Sequence, residues 1–462
     1  MRGSAVYAHL WTTPEVEALL GDEGRLASWL DILAALARAQ GELGLIPPEA
    51  ADEIARRAVV ENLDLGYVMA ETRATEHSTL GLIRGVQQVV SPEAGEWFCY
   101  GATVQDVSDT WFALVMRDVG RLVEKDLAAI ESGLRKLARR HRSTPMAART
   151  HGQPGLPITF GYKAAVLAAE VRRHRERLGD GATRWLVGQL GGAAGTGSLW
   201  GPARRPLVER YCDLLGLNRP EGPWISARDR VAEFGSVLAM VCATLGKVGN
   251  EVLELQRPEV GEVSEPFTPG AVGSITMPHK RNPERSEHLV TLARLARAES
   301  SVLVESMIVE HERDGRSWKA EWAAFPELCR LASASLRLAR GLVDGLVVDP
   351  AAMAANVVGR GGYLFSERVM AALAAKLGKQ SAHLLVYEAS MAGVEAGRSF
   401  RDALEAVPAI TDALSKAELD ELLDPAAAVG QAPEIVDEIL ASLGDRERAA
   451  TTRGSGSGPA GL

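Results

Sequence analysis

Hydroxyls, cationic or ionisable side chains and an amide crowd between backbone-fixing residues in the run Gly273-Ser-Ile-Thr-Met-Pro-His-Lys-Arg-Asn-Pro283. Gly permits close or left-handed backbone approach, and Pro fixes φ and removes a donor, so this run is expected to be a shaped loop rather than a helix. Its chemistry is that of a site that holds an anion and moves a proton. Ser274 lacks the GxSxG surroundings of a hydrolase nucleophile, so proton transfer fits it better than acyl transfer. A serine acts as a base only where cations and N–H groups stabilise its alkoxide. Lys280, His279 and the start of a helix near Pro283 are the available sources.

Two other segments carry comparable chemistry. Thr150-His-Gly-Gln-Pro-Gly-Leu-Pro-Ile-Thr-Phe-Gly161 offers His151, whose ordinary pKa lies near neutral pH, and Gln153, whose amide can orient a carboxylate. Tyr100-Gly-Ala-Thr-Val-Gln-Asp-Val-Ser-Asp-Thr110 offers the Thr103 hydroxyl. Its Asp106 and Asp109 read as caps where a loop enters a long helix at Thr110. The small-residue run Gln189-Leu-Gly-Gly-Ala-Ala-Gly-Thr196 allows a backbone to approach a ligand or a neighbouring helix.

The elements that must position these groups read as helices. Apolar residues recur at three- and four-residue steps through Ala/Leu/Glu/Arg-rich stretches, and almost no segment alternates with period two, so the expected fold is all-α. Three stretches are long: Val119 to Leu137, Phe234 to Leu255, and about Glu284 to Met307. They predict a long-helix bundle whose apolar seams favour oligomerisation. A shorter helix over Arg25 to Leu43 precedes a break at Pro47-Pro48, and shorter helices resume after Asp349-Pro350. The expected organisation is an N-terminal helical domain (1–110), a central long-helix bundle with the loop (111–349), a C-terminal helical domain (350–446) and a disordered tail (447–462), Gly/Ser-rich at its end.

Composition limits the partners. At 462 residues, with 46% hydrophobic and 24% charged residues, the chain has ample material for a globular core. A net charge of −9 without a basic stripe speaks against nucleic acid. The start MRGSAVYAHLW has no apolar export region, and no stretch of about 18 uninterrupted apolar residues follows, so no membrane partner and a cytoplasmic location are expected. The four scattered cysteines form no CxxC pair, and the nine histidines show no ligand spacing, so no metal and no organic cofactor are expected.

The loop resembles the GSSxMPxKxNP signature of the fumarase/aspartase superfamily, and its MPHKRNP core is closest to adenylosuccinate lyases and carboxymuconate cycloisomerases. The Thr150 segment is similar to the THGQxAxPxTFG element of adenylosuccinate lyases, and the Tyr100 segment to the superfamily's GxTSxDxxDT. The resemblance covers nearly the whole chain and implies three helical domains. It implies Ser274 as the base, His151 as the general acid, and Thr103, Gln153, Lys280, Asn282 and His77 as substrate-binding residues. His77 lies in Thr75-Glu-His77, which resembles a TEHD element; Ser78 replaces its aspartate. Glu287 stands at the spacing of a supporting glutamate that pairs with the acid histidine, and Arg313 of the HERD-like His311–Asp314 is a second supporting residue. The resemblance also implies a homotetramer with active sites shared between subunits. Val104 and Ile275 replace two of the family's serines.

The departures bear on substrate. Phosphate-binding elements of adenylosuccinate lyases are missing, and Gly197 stands where that family has glutamine. Leu36–Ala51, Pro223–Phe234 and His311–Trp322 look more like carboxymuconate cycloisomerases, yet His151 stands where bacterial cycloisomerases commonly have another residue. Nitrosuccinate lyases are a third relative that fits this mixture. The expected function is β-elimination from a small C2-substituted succinate, with C–N cleavage, giving fumarate. The alternatives are a 3-carboxy-cis,cis-muconate cycloisomerase, an adenylosuccinate lyase and a non-catalytic helical scaffold.

Overall fold

The apolar stripe from Val119 to Leu134 is the buried inner face of a 37-residue helix, α5 (Val104–Arg140), in a computed structural model that describes residues 4–267, 270, 274–277 and 279–454. Gly273, Pro278 and residues 455–462 lie outside the described residues. Ahead of α5 come α1 (Asp22–Glu42), α2 (Pro48–Arg57), α3 (Leu65–Thr75) and α4 (Leu80–Gln87). Pro48 sits at the first turn of α2, where its missing N–H has no helical partner to lose.

After α5 the chain turns through a hairpin, β1 (Pro145–Thr150) and β2 (Gln153–Thr159), then enters α6 (Phe160–Trp185). The segment that carries His151 is thus a strand pair, which the helical periodicity did not foretell. Two short antiparallel strands form where Pro and Gly had hidden any alternation, and prolines at 154 and 157 are tolerated because a two-stranded ribbon has only edges. The bundle continues with α7 (Asp229–Gln256), the two-residue strand β3 (Val263–Ser264), α8 (Glu284–Glu305) and α9 (Gly315–Gly345). A second two-residue strand, β4 (Val347–Val348), pairs antiparallel with β3. Helices α5 to α9 pack on one another as the bundle. The fold is all-α apart from these short strands, as the periodicity predicts.

The seams read from the sequence are spent inside the chain rather than exposed. Val119, Val123, Leu127 and Ile130 of α5 meet Leu238, Val241 and Leu245 of α7 in one continuous core, which also takes in Trp29, Leu33 and Leu36 of α1. The segment before residue 110 therefore shares the bundle's core. The apolar residues left exposed lie off the α5 and α7 seams and include Met240 together with Val302, Val304, Met307 and Ile308 at the end of the third long stretch. By length and composition α7 is apolar enough to cross a membrane, but 67% of its apolar window is buried in the bundle.

Beyond α9, α10 (Pro350–Val358) is capped by Asp349, whose carboxylate accepts the Ala351 and Ala352 N–H groups. With α11 (Ser366–Leu377) and α12 (Lys379–Glu395) it builds a separate core around Val357, Val369, Leu373 and Phe400. The last helix, α13 (Ala432–Gly454), returns to pack on α6. It is helical past residue 447, where the tail was expected to begin, because Arg, Glu and Ala in this stretch are good helix formers.

Candidate active site

The N-terminus of α5 is the most constrained corner of the site. Thr103 is its N-cap residue, so the helix begins six residues earlier than Thr110. Asp106 accepts the Thr103 N–H at 3.0 Å and then reaches out to the Gly run, accepting from Gln189 Nε2 (2.9 Å), Gly191 N (2.8 Å) and Gly192 N (2.9 Å). Burial pushes the Asp106 carboxyl up to about 6, against the pull of these four donors. Asp106 is thus a cap that also pins the Gly191-Gly192 backbone beside Thr103.

Asp109 is not a cap. It is fully buried one turn on, and its carboxylate takes both terminal nitrogens of Arg228 at 2.8 and 2.9 Å. Glu321 of α9 holds the other edge of the same guanidinium, with Nε at 3.0 Å and Nη2 at 2.5 Å. Burial raises both carboxyls, and it also opposes the Arg228 charge, but the two carboxylates outweigh it and hold that guanidinium above its ordinary range. The misreading has a simple cause. Asp109 lies 119 positions from Arg228, and no local pattern reveals a partner at that distance.

Arg313 completes the corner. Its Nη1 donates to Thr103 Oγ1 at 2.8 Å, and its guanidinium lies 5.5 Å from the centre of the Trp318 ring. Trp318 is fixed in turn, its indole N–H donating to Ser108 Oγ at 3.0 Å. A helix N-terminus, a hydroxyl and a guanidinium here meet at one corner, a set of groups whose chemistry suits a carboxylate.

His151 occupies a different setting. It and Gly152 form the two-residue tip of the hairpin, with φ of 55° and 75°, the left-handed pair that a type I′ turn requires. A non-Gly residue there is strained by about 1–2 kcal/mol. Both residues and Gln153 are exposed. The hairpin itself is anchored by Arg149, which forks onto the buried Glu262 at 2.7 and 2.9 Å.

His77 follows Glu76, another left-handed residue (φ 51°), and its Nδ1 accepts the Leu80 N–H at 3.2 Å at the start of α4. With Nδ1 accepting, a neutral ring carries its proton on Nε2. In the signature loop, Ser274 Oγ accepts the Met277 N–H at 3.0 Å. Its neighbour Ile275, which replaces the family's second serine, is 96% exposed. Lys280 is exposed, Asn282 is half-buried, and Arg281 stacks on Phe267 at 4.4 Å. Glu287 lies exposed on the first turn of α8, where its charge suits the helix dipole.

Within one chain the structure brings Thr103 and Arg313 together. Among the described residues it does not join His151 to His77, Ser274 or Glu287, so the expected pairing of Glu287 with His151 is not made inside a single chain. The roles of Arg149, Arg228 and Glu262 were missed by sequence reasoning; only Arg149, two residues before His151, carried a local signal. Among the described residues no group of His, Cys, Asp and Glu is arranged to hold a metal ion.

Comparison with known proteins bears on this arrangement. The family model described as "Lyase" matches residues 11–296, and that described as "Adenylosuccinate lyase C-terminus" matches residues 362–439. The chain belongs to the fumarase/aspartase superfamily, in its adenylosuccinate lyase-like branch. It is 42% identical to an N-acetyl-S-(2-succino)cysteine lyase of Enterococcus italicus, over 94% of this chain and 95% of that protein. It is 39% identical to a nitrosuccinate lyase of Streptomyces davaonensis, over 95% and 94%. The crystal structure of 3-carboxy-cis,cis-muconate lactonizing enzyme from Pseudomonas putida superposes with a TM-score of 0.89 at 36% identity, covering 95% of this chain and 98% of that one.

Proposed function

We propose that this lyase-superfamily enzyme eliminates a heteroatom substituent from C2 of a small succinate and releases fumarate. The observation that carries the reading is the Thr103–Arg313 corner, a preformed seat for a carboxylate at a helix N-terminus. In the proposed mechanism Ser274 removes a proton from the carbon beside the other carboxylate. Lys280, Asn282 and loop N–H groups stabilise the resulting aci-carboxylate, which is the largest catalytic contribution in such a step. The C2 substituent then departs, and His151 donates a proton where the leaving group is a strong base.

The leading substrate is a thioether of the kind named for the Enterococcus relative, an N-acylated S-(2-succino)cysteine. The narrower expectation of C–N cleavage remains as a second reading, favoured by the 39% identity to a nitrosuccinate lyase. A purine nucleotide fits poorly. At Gly197 an added Cβ would lie 2.4 Å from Cδ of Arg204, so the arginine stem fills the place of a side chain there. We further propose a homotetramer whose sites draw on several subunits, supported by the exposure of His151, Lys280 and Glu287 and their separation within one chain.

Fumarate release, followed by absorbance, from succinates carrying an N-acetylcysteinyl, nitro, amino or adenylyl substituent tests these readings together. The thioether is expected to react fastest. Fumarate from none of them, with lactonisation of 3-carboxy-cis,cis-muconate, would replace elimination by cycloisomerisation.

A further inference from the structure

The hairpin that carries His151 and the helix that follows the Ser274 loop are tied to the same short stretch of chain. Glu262 and Glu265 flank β3, three residues apart. Glu262 is wholly buried and receives three side-chain donors, the two terminal nitrogens of Arg149 (2.7 and 2.9 Å) and the Asn356 amide (2.8 Å). Its backbone is held as well, since its N–H donates to Leu255 O at 3.0 Å and its carbonyl accepts the Asp349 N–H at 3.0 Å. Arg149 lies two residues before the hairpin tip, beside an irregularity of register at Ala147/Arg149. Such a bulge re-aims the strand, and the fork onto Glu262 fixes where it aims.

Glu265 works in the other direction. Its carboxylate accepts the N–H groups of Ser286 (2.7 Å) and Arg285 (3.3 Å) in the first turn of α8, while its own N–H donates to Gln256 Oε1 at 2.7 Å. It therefore joins the end of α7 to the start of α8, the two helices between which the loop with Ser274 and Lys280 is strung. Pro266 closes the stretch against Gly345, where an added Cβ would come within 2.6 Å of the proline ring.

We propose that residues 262–265 are a positioning strap. Glu262, through Arg149, sets the height and aim of the proton-donating hairpin, and Glu265 sets the frame of the proton-abstracting loop. This inference rests on the elimination reading above for the roles of His151 and Ser274, and on geometry alone for the strap. Neither glutamate touches the reacting atoms in this account. Misplacement of a catalytic group by about 1 Å costs roughly a hundredfold in rate, so a strap that slackens is visible in kcat.

The test compares Glu262→Gln, Glu265→Gln and, as a milder probe of the same fork, Arg149→Lys in the full-length enzyme. Two readouts are taken: the pH profile of kcat on whichever succinate the wild type converts, and amide hydrogen exchange along the chain. Glu262→Gln is expected to lower kcat about tenfold or more with KM within about threefold, to displace the basic limb that reports the general acid, and to speed exchange across 145–159. Glu265→Gln is expected to lower kcat with that limb in place and to speed exchange at 284–288. Arg149→Lys should fall between wild type and Glu262→Gln, and it serves alone if Glu262→Gln does not fold. Wild-type kcat, limb and hairpin exchange in the Glu262 or Arg149 variants would overturn the strap. If the wild type releases no fumarate from any succinate, elimination fails, and the exchange data still decide whether Glu262 holds the hairpin.

Discussion

The corner at the N-terminus of α5 and the tip of the β1–β2 hairpin solve opposite problems. At the corner the charged groups are engaged before substrate arrives: Asp106 takes four N–H donors, Arg228 takes two carboxylates, and Arg313 is held by Thr103 and Trp318. At the tip, His151 stands exposed in a left-handed conformation, and the chemistry-bearing side chains of the loop are also turned to solvent or left half-buried. The corner is held by its own hydrogen bonds and ion pairs; the hairpin is tied through Arg149 to Glu262, with the His151 side chain left exposed. A seat for a fixed carboxylate benefits from preorganisation, whereas in the proposed reaction the groups that move protons must be free to meet substrate.

The sharpest way to break that contrast is at the free end. Ser274→Ala is expected to lower kcat by about 10³–10⁴-fold, equivalent to about 4–5.5 kcal/mol, with unchanged circular dichroism. Near-normal fumarate production would remove Ser274 from the mechanism. Mixing Ser274→Ala chains with His151→Asn chains, then unfolding and refolding them together, is expected to restore part of the lost activity if sites are shared. No recovery would show that each chain supplies its own acid and base.

The corner is expected to fail in stability before it fails in chemistry. Arg228→Met strands Asp109 and Glu321 as buried carboxylates without a cation, and loss of one partner of such a cluster costs about 3–5 kcal/mol. Urea unfolding reads this directly, and a loss under about 1 kcal/mol would mean that the charges find other partners. Arg313→Gln, at the edge of the same corner, should leave stability nearly intact and raise KM by about 10–100-fold, or about 1.4–2.7 kcal/mol. A change confined to kcat would move Arg313 from binding to transition-state stabilisation.

How much of this was legible in the sequence follows from distance along the chain. The Ser274 loop, the Thr103 hydroxyl and the stripes of α5 and α7 are local patterns, and they could be read from residue types and three- and four-residue steps, whereas the helix start at Thr103 was placed too late, at Thr110. The hairpin escaped because its strands carry Pro154 and Pro157 and its turn is His-Gly rather than Asn-Gly. Helix α9 was not singled out, since Pro326 interrupts its middle and suggests a break that tertiary packing overrides. The Asp109–Arg228–Glu321 and Arg149–Glu262 clusters join positions about a hundred residues apart, a scale at which a single sequence has no periodicity to offer.

A final, smaller effect separates buried from exposed histidine. His174 of α6 is buried, and its Nε2 lies 2.8 Å from Thr244 Oγ1, while Arg177 Nη1 lies 3.2 Å from Nδ1. A guanidinium only donates, so Nδ1 accepts, the ring is neutral with its proton on Nε2, and the Thr244 hydroxyl, accepting from Nε2, donates in turn to Glu170 at 2.7 Å. Burial, reinforced by the Arg177 charge, pulls the His174 pKa down to about 4 from an ordinary 6.5. The folded state therefore resists a proton that the unfolded chain accepts. Stability is complete above pH 6.5 and is lost as pH falls from 6.5 towards 4, by about 2 kcal/mol at pH 5 from this residue. Gln can keep an amide N–H towards Thr244 and an oxygen towards Arg177 but does not titrate, so His174→Gln is expected to flatten the difference in urea midpoint between pH 7 and pH 5. Equal slopes in the wild type and the His174 variant would mean that acid enters the bundle elsewhere.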